Sequence, residues 1–311
     1  MAPVTVSVVL PTFNRLRFLR PAVESLYAQT FTDWELIIAD DGSDLETRQY
    51  LQSLASHPRV RVVWLAHTGR PSIVRNAALQ LASGEYVAFL DSDDLWAPSK
   101  LERQIATMRA RVNCRWSYTG FMHVDASGNS VPDEARLPWV LYEGDIFEPV
   151  ATGRAAIRTP SVLADRQLIA QAGGFDEAML SAEDFDLWLR LSLLSEVASV
   201  DEPLVYVRYH DENHHRDWES AFVGWDRSLS LRQELVGPAR RSLLRRERMR
   251  NALKRASMHG WRGDHGRMRR ALRESLPFCW PYPQWWLGAM KAVLRPHLPR
   301  SVLDFYRKHR A

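Results

Sequence analysis

A chain of 311 residues that is 46% apolar and 25% charged has room for one large or two modest globular domains. Its two cysteines, Cys114 and Cys279, lie far apart with no C-x-x-C spacing. That excludes a disulfide framework and a zinc–thiolate site and suits a reducing compartment. The net charge of +4 hides an acidic front, with 18 Lys and Arg against 25 Asp and Glu in residues 1–200, and a basic rear, with 23 against 12 in residues 201–311.

The opening MAPVTVSVVLPTFNR lacks a positive leader, and Thr5, Ser7 and Pro11 interrupt its apolar run. It reads as a strand, VTVSVVL (4–10), and not as a signal peptide. Leu19, Val23, Leu26 and Tyr27 follow at helical spacing. WELIIA (34–39) is a second strand and ETRQYLQSLA a short helix. RVRVVWL (59–65) is a third strand. PSIVRNAALQLASG predicts a helix from Pro71 to a glycine stop at Gly84. EYVAFL (85–90) is a fourth strand, and APSKLERQIATM opens a helix with Pro98 in its first turn. In residues 111–215, CRWSYTGFMHVDASGNSV predicts two strands around a Ser-Gly-Asn turn. GGFDEAMLSAEDFDLWLRLSLLS reads as a loop and a helix, and PLVYVRYH as another strand. From about residue 216 the pattern is helical and rich in arginine. No stretch of about 18 apolar residues predicts a spanning helix.

Alternating strands and helices predict an α/β fold with a mostly parallel sheet covered on both faces. Ligands on such sheets bind beyond the carboxyl ends of the strands. Three polar groups converge there: Pro11, Thr12, Phe13 and Asn14; Asp40 and Asp41; and Asp91, Ser92, Asp93 and Asp94. In DSDD, Asp91 and Asp93 are hard oxygen donors suited to Mg²⁺ or Mn²⁺, ions that take one or two protein carboxylates and complete their shell with substrate phosphates. A calcium loop is excluded, because Leu95 stands at its fifth position and Trp96 where the sixth requires glycine.

VSVVLPTFNR, WELIIADDGSD, RNAALQLASGEYVAFLDSDDLW and GGFDEAMLSAEDFDLWLRL, in this order and spacing, resemble the family 2 glycosyltransferases of the GT-A (Rossmann-like) fold. The resemblance covers about residues 4–215. It implies a nucleotide-sugar-binding half in residues 1–110 and an acceptor and catalytic half in 111–215; the basic helical C-terminal region, 216–311, lies outside it and is read from its own pattern. The resemblance implies inverting transfer of a sugar from a nucleotide-sugar, with UDP the nucleotide the family uses most.

On that resemblance Pro11, Thr12, Phe13 and Asn14 lie where base and ribose dock, and Asp41 of DDGS hydrogen-bonds the base. Asp91 and Ser92 belong to the ribose side of the D-x-D element, and Asp93 is the metal ligand. Arg75 stands near the phosphates, although it reads equally as a surface arginine on a helix. Arg208 and His210 in VYVRYH are candidates for the diphosphate, with His210 a possible ligand of the ion. His214 and His215 have no assignment. Inverting transfer needs a base for the acceptor hydroxyl, and the aspartate of the ED pair, Asp184, takes that role, with Glu183 orienting the acceptor or a neighbouring group. Without the resemblance, acids in a helix's first turn need no more than the macrodipole.

The implied cofactor is Mn²⁺ or Mg²⁺. The implied partners are a nucleotide-sugar donor and a glycan or lipid-linked acceptor of cell-surface polysaccharide synthesis. The Arg-rich C-terminal helices read either as a solvated face or as attachment to an anionic membrane surface, with Trp285, Trp286, Leu287, Met290, Val293 and Leu294 as an interfacial face. No nucleic-acid recognition motif is present. The expected location is cytoplasmic, peripheral on the inner face of the membrane. The rival readings are a nucleotidyltransferase, which would want a Gly-rich basic loop where PTFNRLRFL has none, and a non-catalytic sugar- or membrane-binding protein.

Overall fold

Residues 4–131, 140–210 and 218–294 are described by the computed structural model, and the chain divides into two units, residues 1–216 and 217–311. In the first unit, β1 (Val6–Thr12), β2 (Trp34–Asp40), β3 (Val60–Trp64) and β4 (Tyr86–Phe89) alternate with α1 (Leu16–Tyr27), α2 (Leu45–Ala55) and α3 (Pro71–Leu79). Then come β5 (Leu95–Trp96), α4 (Lys100–Ala110), β6 (Cys114–Val124), α5 (Phe147–Ala151), β7 (Val162–Asp165), α6 (Arg166–Ala172), α7 (Glu183–Leu194) and β8 (Glu196–Arg208). All eight strands form one sheet in the order β3-β2-β1-β4-β7-β6-β8-β5.

β1 pairs in parallel with β2 and β4, β2 with β3, and β6 with β8. β7 runs antiparallel between β4 and β6, and β5 antiparallel to β8. β1–β4, β6 and β8 therefore point the same way and share a carboxyl edge. β2 and β4 are buried along their whole length, as strands covered on both faces must be, so they read as apolar runs and not as alternations. Val6, Val8 and Leu10 of β1 pack with Leu36 and Ile38 of β2 against Leu19, Val23 and Leu26 of α1. One acid breaks the apolar run of β2. Glu35 is buried, which pushes its carboxyl up, but donations from Ser7 Oγ, Ser83 N and Oγ, and Arg61 outweigh burial and hold it below the ordinary range.

Several expectations are corrected. α3 stops at Leu79, five residues before Gly84. Gly84 is instead demanded by close approach, since a Cβ there would stand 2.6 Å from Ser7 N of β1. Pro98 precedes α4, which begins at Lys100 after Ser99. The two strands expected around Ser-Gly-Asn reduce, among the described residues, to β6 and a single bridge from Val124 to Ser130. The strand read as PLVYVRYH starts eight residues before Leu204, at Glu196. The two antiparallel insertions, β5 and β7, have two and four residues, too short to carry a periodic signal.

In the second unit, α8 (Trp218–Arg232), α10 (His265–Cys279) and α11 (Pro283–Leu294) all pack on α9 (Pro238–Trp261). Met249, Cys279, Trp285 and Ala289 form one apolar cluster, and Ala256, Met268, Ala271 and Ala292 another. Trp285 is thus internal, with its indole Nε1 donating to Ser275 Oγ at 3.0 Å, and it leaves the interfacial face expected of it. Trp286, Leu287, Met290, Val293 and Leu294 do face solvent. Among the described residues no helix is long and apolar enough to cross a membrane.

Candidate active site at the carboxyl edge

Three described residues other than glycine have positive φ: Asn14 (55°), Arg15 (58°) and Ala182 (56°). The first two form the turn after β1, and Ala182 immediately precedes α7. Strain of this kind persists where surrounding contacts over-determine the backbone. Here Asn14 N donates to Ser43 Oγ at 2.7 Å, and Asn14 Oδ1 accepts from Asp44 N at 2.8 Å, stitching the loops after β1 and β2 together.

Thr12 is buried, its Oγ1 has no hydrogen-bond partner among the described residues, and its carbonyl accepts from Asp41 N at 2.9 Å. Pro11 lies beside it at the end of β1. Phe13 is 39% exposed and stacks on His67 with ring centroids 4.0 Å apart. Asp41 is buried, and its carboxylate accepts from Thr68 N (2.8 Å), Thr68 Oγ1 (2.8 Å) and Gly69 N (2.9 Å). His67 Nδ1 lies 3.1 Å from Asp41 Oδ2 and 2.9 Å from the Asp41 carbonyl. Asp41 therefore organises the 67–69 loop beneath an exposed aromatic platform.

The acids of DSDD are inequivalent. Asp91 Oδ1 accepts from Arg75 Nη2 at 2.8 Å, and Arg75 Nη1 donates to Glu183 Oε1 at 2.7 Å. Arg75 is 7% exposed, so it is not a surface arginine; it braces the β4 turn against α7. Burial pushes Asp91 and Glu183 above the ordinary carboxylate range, and Arg75 offsets this only in part. Burial also opposes the charge on Arg75, but the two carboxylates outweigh it and hold the guanidinium firmly protonated. Asp93 Oδ2 accepts from Arg15 Nη1 at 2.8 Å and lies 3.1 Å from His210 Nε2, whose ring stacks on Phe18 at 4.2 Å. Asp94 does not cap α4. It accepts from Arg208 N at 2.8 Å and so fixes the end of β8; burial, then the charges of Asp93 and Asp91, push its carboxyl well up. Arg208 is buried with its guanidinium 5.1 Å over Phe18, and Ser92 is buried within the same turn as Asp91.

The acids of EDFD separate in the same way. Asp186 is buried in an i,i+4 pair with Arg190 at 2.7 Å, and Arg190 also donates to the carbonyls of Ala172 and Gly174. Glu183 is committed to Arg75. Asp184 accepts from Thr159 Oγ1 at 3.1 Å and from Phe185 N at 2.7 Å. The GGFDE loop is tied to α3 by Asn76, whose Nδ2 donates to the Phe175 carbonyl (2.8 Å) and whose Oδ1 accepts from Phe175 N (3.0 Å).

Asp41, Asp91, Asp93, Asp184, Arg75, Arg208 and His210 thus all sit along one edge of the first unit, while His214 and His215 lie outside the described residues. Arg15, His67 and Thr159 were not anticipated. Arg15 follows PTFN directly, so its place beside the D-x-D turn was within reach of the sequence; Thr159 carried no signal. Asp93 and His210 are the pair suited to a divalent ion. Among the described residues no group of three or more His, Cys, Asp or Glu is arranged to hold a metal. A donor pair fits an ion whose remaining places belong to substrate phosphate and water, not a resident structural ion.

The family model described as "Glycosyl transferase family 2" matches residues 7–126. A protein of Bacillus subtilis (strain 168) named as a teichuronic acid biosynthesis glycosyltransferase is 34% identical over 188 residues, 60% of this chain and 71% of the relative. Against two Rickettsia glycosyltransferases the chain spans about a third of their length, 33% and 29%. The structure of S. aureus TarS 1–349 in complex with UDP-GlcNAc superposes with a TM-score of 0.71 at 18% identity, covering 98% of this chain and 92% of that one. A mannosyltransferase of Pyrobaculum calidifontis in complex with GDP-Man and Mn²⁺ gives 0.61 at 16% identity, covering 96% and 87%. At these identities the structural likeness shows the fold, GT-A.

Proposed function

The chain belongs to glycosyl transferase family 2, and from that premise we propose that it is an inverting, metal-dependent glycosyltransferase. It moves a sugar from a UDP-linked donor to a hydroxyl of a glycan or lipid-linked acceptor in cell-surface polysaccharide synthesis. The observation that carries this reading is the Asp91–Arg75–Glu183 bridge, which holds the D-x-D turn and the ED pair to one edge across 92 residues of sequence.

The uracil docks on the Phe13 platform beside the loop that Asp41 organises, and the ribose on Asp91. Asp93 and His210 would hold Mn²⁺ or Mg²⁺, which would supply a Lewis acid for the leaving diphosphate. Arg15 and Arg208 add fixed positive charge on the side where negative charge develops. Asp184 takes the acceptor's proton as its oxygen attacks the anomeric carbon, and the nucleoside diphosphate departs from the opposite face in one displacement. Titration calorimetry tests the donor half. UDP binds in the presence of Mn²⁺, and both chelation and Asp93→Ala weaken it by about tenfold or more, the loss of one charge-assisted contact. UDP affinity indifferent to both changes contradicts the metal assignment.

The second unit serves the acceptor's location. Residues 217–311 carry 21 Lys and Arg against 8 Asp and Glu, and α11 turns Trp286, Leu287, Met290, Val293 and Leu294 outward. An apolar helical face within a cationic unit suits the anionic inner surface of the cell membrane, placing the enzyme peripherally on its cytoplasmic side. The protein is expected to sediment with vesicles containing phosphatidylglycerol and not with phosphatidylcholine alone, and the double variant Trp286→Ser, Leu287→Ser to lose most of that binding. Equal sedimentation with both lipids, or none, contradicts it.

A further inference from the structure

Asp184 can act as a base only if one carboxylate oxygen keeps a lone pair turned toward the acceptor. The structure shows what holds the carboxyl group. Oδ1 accepts from the Phe185 amide, and Oδ2 from the hydroxyl of Thr159, a buried residue 25 positions upstream on a different element. Thr159 begins a one-turn 3-10 segment, Thr159–Ser161, which enters β7. That segment is fastened from beneath at two carbonyls: Pro160 O accepts from the Trp96 indole at 2.9 Å, and Ser161 O from Gln104 Nε2 at 3.0 Å. Trp96 is buried in β5, two residues beyond the DSDD turn, so the support of the base begins where the metal turn ends.

We propose that Thr159 is a positioning residue for the catalytic base. Its hydroxyl fixes the orientation of the Asp184 carboxyl group, and Trp96 holds the Thr159–Ser161 turn in place through the Pro160 carbonyl. The inference rests on Asp184 being the base. The hydroxyl has one proton to give. Donated to Asp184 Oδ2, it leaves the second lone pair of that oxygen for the acceptor's proton. Charged groups face Asp184 from three elements. They are Glu183 on its own helix, Asp91 on the β4 turn and the cation Arg75 of α3. Arg158, adjoining Thr159, lies over the Phe121 ring at 5.1 Å.

The test is the pH profile of nucleotide release from UDP-GlcNAc and UDP-glucose with water as acceptor, which needs no identified glycan. In Thr159→Val, kcat falls about tenfold or more, the loss of one hydrogen bond to a charged group. The acidic limb of the profile moves up by about one pH unit, while UDP affinity stays within about twofold. Thr159→Ser restores both the rate and the limb. Trp96→Phe, which keeps an aromatic side chain but loses the indole donor, moves the limb in the same direction by less. A Thr159→Val profile that keeps its acidic limb overturns the proposal, as does a serine variant that fails to rescue. The two readings separate cleanly: undiminished release by Asp184→Asn removes the base itself, whereas release lost in Asp184→Asn with an unmoved limb in Thr159→Val removes only the positioning role.

Discussion

Asp184→Asn is expected to fold as the wild type does, to keep its affinity for UDP, and to lose about 10²–10⁴-fold in turnover, the range a positioned general base supplies. The substitution is nearly isosteric. The asparagine carbonyl can still accept from Thr159 or from the Phe185 amide, so the start of α7 keeps its contacts. What is lost is the ability to take a proton. The neighbouring acids make the comparison sharp, because each has a different job. Glu183 is spent on Arg75 and Asp186 on Arg190, both at hydrogen-bonding distance. Nucleotide release measured beside UDP calorimetry distinguishes the cases: a variant that loses turnover and binding together would place Asp184 in the donor site instead.

The second large effect is on Arg75. Removing one member of a buried ion pair leaves an uncompensated charge and costs about 3–5 kcal/mol; Arg75→Ala strands two, Asp91 and Glu183, so a loss of that order in denaturant unfolding is expected. Lysine does not rescue it, because two different guanidinium nitrogens reach the two carboxylates at 2.8 and 2.7 Å and an ammonium is a single point charge. The sign of the pH dependence follows from the directions of the shifts. Both carboxyls sit above their ordinary values in the fold, so each disfavours the folded state more as pH rises through its folded pKa. Without Arg75 that cost grows, and the deficit against wild type is largest at neutral pH and narrows on acidification. A stable Arg75→Ala protein with normal turnover would return Arg75 to the surface role its sequence also allowed.

The sheet's four leading strands were legible because buried parallel strands are continuous apolar runs bounded by turn residues, and β1, β2 and β4 are of that kind. β5 and β7 were not, since a strand of two or four residues has no period to read. The candidate acids were legible as motifs, but their partners were not. Asp94 meets Arg208 N across 114 positions, and Arg75 meets Glu183 across 108, pairings that only the closed sheet creates. Gly84 shows the same limit at one residue. A glycine at the end of a helical pattern invites reading as a cap, whereas the demand came from the backbone of β1 lying against it. Trp285 and Trp286 are adjacent and chemically identical, yet the helix turns one inward to Ser275 and the other out.

Single displacement assisted by Asp184 is the central claim, and the anomer first formed tests it most directly. Proton NMR of UDP-GlcNAc hydrolysis, recorded before mutarotation equilibrates the free sugar, should show the β anomer appearing first from the α-linked donor, and Asp184→Asn should release the sugar about 10²–10⁴-fold more slowly. An α anomer appearing first would contradict the account, because a single displacement inverts the anomeric carbon.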